Sequence, residues 1–166
     1  ITGGQSLTKA GDGTLRLTGA NTNTGAVNIN AGTLVSASES ALGTGAVSIA
    51  SGATLALESN LTIAGALDLK DGATVAWLDD AILNLTGAVT VGGKLSIDLS
   101  GITTEGSSTL LTFATAPTGL DLGSIDVTYA DGYSGSLSLN GNSIQLTLES
   151  TGLLFWRGDS SGSGIW

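Results

Sequence analysis

The chain has 166 residues, a net charge of −9, and neither cysteine nor histidine. Its five basic residues are scattered, which argues against a nucleic-acid or anionic-membrane partner. The lack of cysteine excludes disulfides, thiol nucleophiles and thiolate metal sites.

The first hundred residues contain a repeat of about 20 residues. Gly-Ala pairs begin at Gly25, Gly45, Gly65 and Gly87, and alternating apolar and small or polar residues follow each pair. Period-two alternation predicts short strands buried on one face, and self-similarity at this length indicates a solenoid. We expect stacked units to align three apolar columns and one outward threonine row: Leu15, Leu34, Leu55, Val75, Leu95; Val27, Val47, Leu67, Val89; Ile29, Ile49, Leu69, Val91; and Thr14, Thr33, Thr54, Thr74.

The repeat stops after Ser100. Four further strands are predicted at residues 108–114, 124–130, 134–140 and 143–149, and Asn140-Gly141-Asn142 indicates a hairpin turn between the last two. We expect this part to cover the last turn of the solenoid, because an open sheet edge invites aggregation.

The predicted fold is all-β: a single-stranded, right-handed parallel β-helix of about 20 residues per turn with a less regular, partly antiparallel cap. The handedness follows the general chirality of parallel crossovers. An antiparallel β-sandwich is the alternative, although it does not require like residues at a fixed offset. The domains predicted are 1–100 (parallel β-helix), 101–150 (C-terminal cap and folding-promoting region) and 151–166 (start of a following module or linker). The pattern begins without a signal peptide at Ile1, so we expect a piece of a longer protein.

Paired carboxylates occur at Asp79-Asp80 and at Asp68 with Asp71. Adjacent aspartates in a strand point to opposite faces, so we expect a solvated loop rather than a glycosidase-like pair. Structural calcium at either pair is a second hypothesis, although the repeated Gly-Gly-x-Gly-x-Asp pattern is missing. We assign no catalytic, cofactor-binding or metal-binding residue, and expect no cofactor.

The tripeptide Arg157-Gly158-Asp159 lies in a Gly/Ser-rich stretch. It is a candidate receptor-binding site, in which Asp159 binds a metal ion on a host receptor and Arg157 enters an acidic groove. The alternative is a turn at the start of a module. Three-residue motifs arise often by chance.

The stretch Leu7-Thr-Lys-Ala-Gly-Asp-Gly-Thr-Leu15, followed by Asn21 to Gly25 and a Gly-Thr-Leu ending at Leu34, resembles the passenger-associated repeat of bacterial autotransporters of the AIDA type. One departure is Asn23, where the family commonly has an aromatic residue. Residues 95–148 resemble the region that follows such repeats, near the folding-promoting end of the passenger.

The resemblance implies a secreted β-helix on the bacterial cell surface, anchored in the outer membrane through a C-terminal barrel outside this chain. We expect a non-catalytic adhesin segment that acts as stalk and as adhesion or self-association surface. Its partners would be like chains on neighbouring cells, or host surface proteins and glycans, without direct membrane insertion of this segment. The alternatives are a passive spacer and folding module that presents another domain, and a carbohydrate-active β-helix enzyme.

Overall fold

The computed structural model describes residues 1–152 as an all-β chain with sixteen strands and one 3-10 turn at Leu122–Ser124. No helix in these residues has the length and apolar character needed to cross a membrane. The strands are β1 (Leu7–Lys9), β2 (Thr14–Leu17), β3 (Val27–Ile29), β4 (Thr33–Ser36), β5 (Val47–Ile49), β6 (Thr54–Leu57), β7 (Leu61–Ile63), β8 (Leu67–Leu69), β9 (Thr74–Trp77), β10 (Leu83–Leu85), β11 (Val89–Val91), β12 (Ser96–Leu99), β13 (Gly106–Phe113), β14 (Asp126–Tyr129), β15 (Tyr133–Asn140) and β16 (Ser143–Ser150).

These strands form three sheets along which the chain winds as a solenoid. Sheet A has the order β1-β3-β5-β8-β11, sheet B the order β14-β12-β9-β6-β4-β2, and sheet C the order β15-β16-β13-β10-β7. We call each turn a rung and number the rungs from the strands of sheet A, which begin at residues 7, 27, 47, 67 and 89. The first four rungs therefore contain 20 to 22 residues each. The predicted parallel β-solenoid is confirmed.

Neighbouring rungs pair in parallel and in register, so that like residues stack. Val27 is aligned with Val47, Ile29 with Ile49, and Leu34 with Leu55. The predicted row of threonines is also aligned, from Thr14 through Thr33 and Thr54 to Thr74. Each rung therefore places its apolar side chains on those of the next, about 4.8 Å away.

One predicted column is wrong at its last member. Val75 is aligned with Ile97 rather than with Leu95. Leu95 lies in the loop just before β12, beside Ala73 of the rung before. The cause is two extra residues in rung 4: the loop between β9 and β10 spans residues 78–82, whereas the equivalent loop in rung 3 spans residues 58–60. A constant 20-residue step therefore fails at this point.

The recurring glycines of the Gly-Ala pairs stand at a corner where the rungs approach very closely. A Cβ added to Gly45 would lie 2.1 Å from the carbonyl oxygen of Gly25, and one added to Gly65 would lie 2.3 Å from that of Gly45. These glycines are required by the backbone approach, since none of them has a positive φ. The steric demand explains why the repeat is marked by glycine at this step.

A single core fills the interior from rung to rung. Its largest fully buried side chain is Trp77, whose Nε1 donates a hydrogen bond to the Ala81 carbonyl 3.0 Å away. The longer loop at residues 78–82 thus supplies the acceptor that a buried indole needs.

Parallel strand pairing continues beyond residue 100, and antiparallel pairing follows it. The end of β13 pairs in parallel with β10, and β14 pairs in parallel with β12. The hairpin predicted around Asn140-Gly141-Asn142 is confirmed: β15 and β16 are antiparallel, and β16 also pairs antiparallel with β13. Ile144, Leu146 and Leu148 of β16 belong to the same core as the rungs.

Candidate functional site

The outer face of sheet A is a regular, solvent-facing surface of the described residues. Its central column has one polar residue per rung, held in line by the parallel register. The column is Thr8, Asn28, Ser48, Asp68 and Thr90.

Small residues flank this column on both sides. We use the name A face for the central column together with its two flanking columns, which occupy the positions just before and just after each strand. The flanking residues are Ser6, Ala26, Ala46, Ala66 and Ala88 on one side, and Ala10, Asn30, Ala50, Lys70 and Gly92 on the other. Because most of these side chains are short, the A face presents a nearly flat surface of methyl, hydroxyl and amide groups.

The A face carries only two charges, and they neutralise each other. The Lys70 ammonium lies 2.6 Å from the Asp68 carboxylate, and both side chains are substantially exposed. The face is therefore locally neutral on a chain whose net charge is −9. Elsewhere on the described surface, carboxylates dominate.

The outer face of sheet B differs, because part of it is buried. Val35, Ala56 and Ala76 form a small apolar cluster on the side of the sheet opposite the main core. Arg16 stands in the same column, and its Nε donates to the Glu58 carboxylate at 2.8 and 3.0 Å. These hydrogen bonds hold the pKa of Glu58 below its ordinary value and raise that of Arg16.

The two carboxylate pairs considered as calcium or catalytic sites have other contacts in the structure. Asp68 bonds to Lys70, and Asp71 Oδ1 accepts a hydrogen bond from the backbone N–H of Lys94 in the next rung. Asp79 accepts from the N–H of Asp80, inside the loop 78–82, as expected for a solvated loop. Within residues 1–152, no three His, Cys, Asp or Glu side chains gather in a way that would hold a metal ion.

The candidate receptor-binding tripeptide Arg157-Gly158-Asp159 lies outside the described residues. It remains a prediction from the sequence.

The repeat motif at the N-terminal end has a structural explanation in buried polar side chains. Lys9 is 6% exposed. Its ammonium donates to the carbonyls of Ala10 and Gly11 in the loop after β1, and to that of Ala31 in the loop after β3, 2.9 Å away. The side chain of Asn21 donates to the Ala41 carbonyl, one rung away. A buried ammonium is stable only when its donors are satisfied, and these backbone carbonyls supply the acceptors that let lysine stand at this buried position.

Asn23, the departure from the family pattern, is also buried, at 1% exposure. Its Nδ2 donates to the carbonyls of Gly25 and Leu42, while its Oδ1 has no hydrogen-bond partner. Sheet C has no strand in rungs 1 and 2, so these asparagine amides replace part of the missing backbone pairing. Sequence reasoning missed this role, because a buried asparagine and a loop asparagine look alike in one sequence.

Comparison with known proteins supports the resemblance at the same place. Residues 7–35 match the family model described as the passenger-associated-transport-repeat. Searches of curated proteins and of solved structures found no match to the chain. The resemblance is confirmed over this segment, and a β-solenoid that carries this repeat fits the stalk of an autotransporter passenger.

Proposed function

We propose that this chain is a segment of a secreted, surface-displayed autotransporter-type adhesin, in which the solenoid is the stalk and the A face is the adhesion and self-association surface. The observation that carries the proposal is the local neutrality of the A face on a strongly acidic chain. The matching repeat at residues 7–35 supports export to the cell surface.

Electrostatics favour this face for contact between two copies. Two chains of charge −9 repel each other at separations within about one Debye length, roughly 8 Å at physiological salt. The A face adds no net charge to that repulsion, because Asp68 and Lys70 compensate each other. If two copies pack antiparallel about a two-fold axis near these residues, Asp68 of each copy can bind Lys70 of the other.

The contact gains strength from repetition. One column presents a polar group at each rung, at intervals of about 4.8 Å, so that a second solenoid can match several groups at once. Each hydrogen bond at an exposed surface contributes little by itself. Many stalks on one cell facing many on another would raise the overall avidity without any stronger single contact.

The test is aggregation and cell attachment of beads coated with the full chain. Ser48→Arg places a long cation in the centre of the A face. Thr54→Arg is its matched control, because both residues lie in rung 3, have similar partial burial and face outwards, on sheets A and B respectively. We expect Ser48→Arg to abolish bead clustering and Thr54→Arg to preserve it, and equal clustering by the two variants would contradict the assignment to the A face.

The same beads separate the other readings of the chain. Attachment to host cells that disappears with Asp159→Glu would assign adhesion to the Arg157-Gly158-Asp159 tripeptide instead. Beads that neither cluster nor attach would leave the spacer and folding module as the function of this segment. Depolymerisation of a polysaccharide by the chain would favour the enzyme.

A further inference from the structure

A groove of about 260 Å³ opens where two successive rungs depart from the regular repeat. One wall is the long loop 78–82 of rung 4, and the other is the loop after β12 with the first half of β13. In solenoids, insertions into individual repeats collect on one side and often form the binding face.

The first half of β13 offers an unpaired strand edge to this groove. Residues 111–113 of β13 pair with β10, but residues 106–109 pair only with β16 within the described part of the chain. A register shift between Thr109 and Leu111 marks the change, and Leu110 is buried there. Four residues of strand, about 13 Å long, therefore run beside the groove with one edge free for backbone hydrogen bonds.

The groove combines an apolar floor with a negative rim. Ala81, Ile102 and Leu110 are buried at its base. Asp80 and Glu105 stand at the rim, and Asp80 Oδ2 accepts a hydrogen bond from Thr104 Oγ1 2.6 Å away. Neither carboxylate has a cationic partner among residues 1–152.

The basic side chains of the described residues are all engaged elsewhere. Lys9 binds backbone carbonyls, while the other three form ion pairs: Arg16 with Glu58, Lys70 with Asp68, and Lys94 with Asp126. The negative charge of the rim is therefore not neutralised from within this part of the protein.

We propose that this groove binds an extended, lysine-bearing peptide segment of a partner protein. The free edge of β13 pairs with the backbone of the segment, as in strand addition to an exposed sheet edge. The methylenes of the lysine lie on the apolar floor, and its ammonium, with three donors, reaches Asp80 and Glu105. The strand edge favours a peptide over an amino sugar, which has no backbone to pair with it.

The test is an NMR titration of the ¹⁵N-labelled full chain with a synthetic pentapeptide, acetyl-Val-Thr-Lys-Thr-Val-amide. The signals of the backbone amides are followed as the peptide is added. We expect the signals of residues 79–82 and 104–110 to shift in a saturable manner. Glu105→Gln and Asp80→Asn should each weaken binding about fivefold, as for the loss of one solvent-exposed charge pair. Asp131→Asn, which removes an exposed carboxylate outside the groove, should leave the affinity unchanged.

Three probes make the proposal fail in distinct ways. A pentapeptide with glutamine in place of lysine that binds equally well would overturn the role of the carboxylates. A backbone N-methylated pentapeptide that keeps its affinity would overturn strand pairing. A glucosamine trimer that shifts the same signals, while the lysine peptide does not, would replace the peptide by a sugar. Clustering of beads through the A face does not depend on any of these outcomes.

Discussion

The regular rungs and the C-terminal hairpin fill one core by different means. In rungs 2 to 4 the strands have three or four residues, and their partners are 19 to 28 residues away in the chain. In the hairpin, β15 and β16 have eight residues each and are neighbours in sequence. Most rung strands pair with a strand on each side, whereas β15 lies at the edge of its sheet, pairs only with β16 and is largely exposed.

The difference shows where each region is constrained. A rung cannot shift without moving the rungs above and below it, so its corners and its buried side chains tolerate little change. The hairpin is closed by a local turn and has a free side, so it can adjust to a change in its packing. Substitutions of similar size should therefore cost more in the stack than in the hairpin.

The largest effect is expected at Trp77, the biggest side chain of the stack. Trp77→Ala should lower the free energy of unfolding by about 4 kcal/mol, because it leaves a cavity between rungs that cannot collapse and removes the donor to the Ala81 carbonyl. Urea denaturation followed by circular dichroism measures the change. Trp77→Phe is the control and should cost about half as much, because the ring remains and only part of the volume and the hydrogen bond are lost.

The corner glycines should come next. Gly45→Ala should cost about 3 kcal/mol, because its Cβ would meet the Gly25 carbonyl oxygen at 2.1 Å and force two rungs apart. The control is Gly52→Ala, where the added Cβ meets nothing within 4 Å and only the positive φ of +73° is unfavourable, at about 1 kcal/mol. A loss at Gly45 no larger than that at Gly52 in the same denaturation experiment would show that the close approach of the rungs does not require glycine at the corner.

A leucine in each region tests the comparison directly. Leu55 and Leu146 are both fully buried. We expect Leu146→Ala to cost about 2 kcal/mol and Leu55→Ala at least 1 kcal/mol more, because the hairpin can relax around the missing volume. Hydrogen exchange should lose protection only in β13, β15 and β16 for Leu146→Ala. Loss of protection that spreads through sheets A and B would mean that the hairpin is not a separable element.

The stack could be predicted from the sequence because its signal is repeated. Val27, Val47 and Leu67 mark one column three times, and a single error in any unit is corrected by its neighbours. Leu95 was misassigned because the two-residue insertion in rung 4 lies before it, and an insertion is visible only in one unit. The antiparallel hairpin was predictable for a different reason, since Asn140-Gly141-Asn142 is a local turn signal.

The surfaces were harder to predict than the core. The polar column of the A face follows from period-two alternation, but its neutrality depends on the pairing of Asp68 with Lys70, which are two residues apart in sequence. The groove beside β13 could not be predicted, because it depends on the lengths of two loops in successive rungs and on where β10 begins. Such a site is created by a break in the repeat, so a search of the sequence for repeats does not detect it.

The smallest effect is expected at the ion pair of Arg16 and Glu58 on the outer side of sheet B. Arg16 lies in rung 1 and Glu58 in rung 3, so the pair links rungs that are not neighbours, over the outer side of Val35. The hydrogen bond from Arg16 lowers the pKa of Glu58 in the folded chain below its ordinary 4.5, so the folded state binds fewer protons than the unfolded state. The stabilisation is therefore complete above pH 4.5 and decreases as the pH falls through the folded pKa.

Glu58→Gln should be slightly less stable than the unaltered chain at pH 7, and the difference should shrink toward pH 3 and in high salt. Glu149→Gln, at an exposed carboxylate without an ion pair among the described residues, is the control and should leave the stability at pH 7 unchanged. A difference for Glu58→Gln that stays constant from pH 7 to pH 3 would mean that the two rungs are not coupled through this charge.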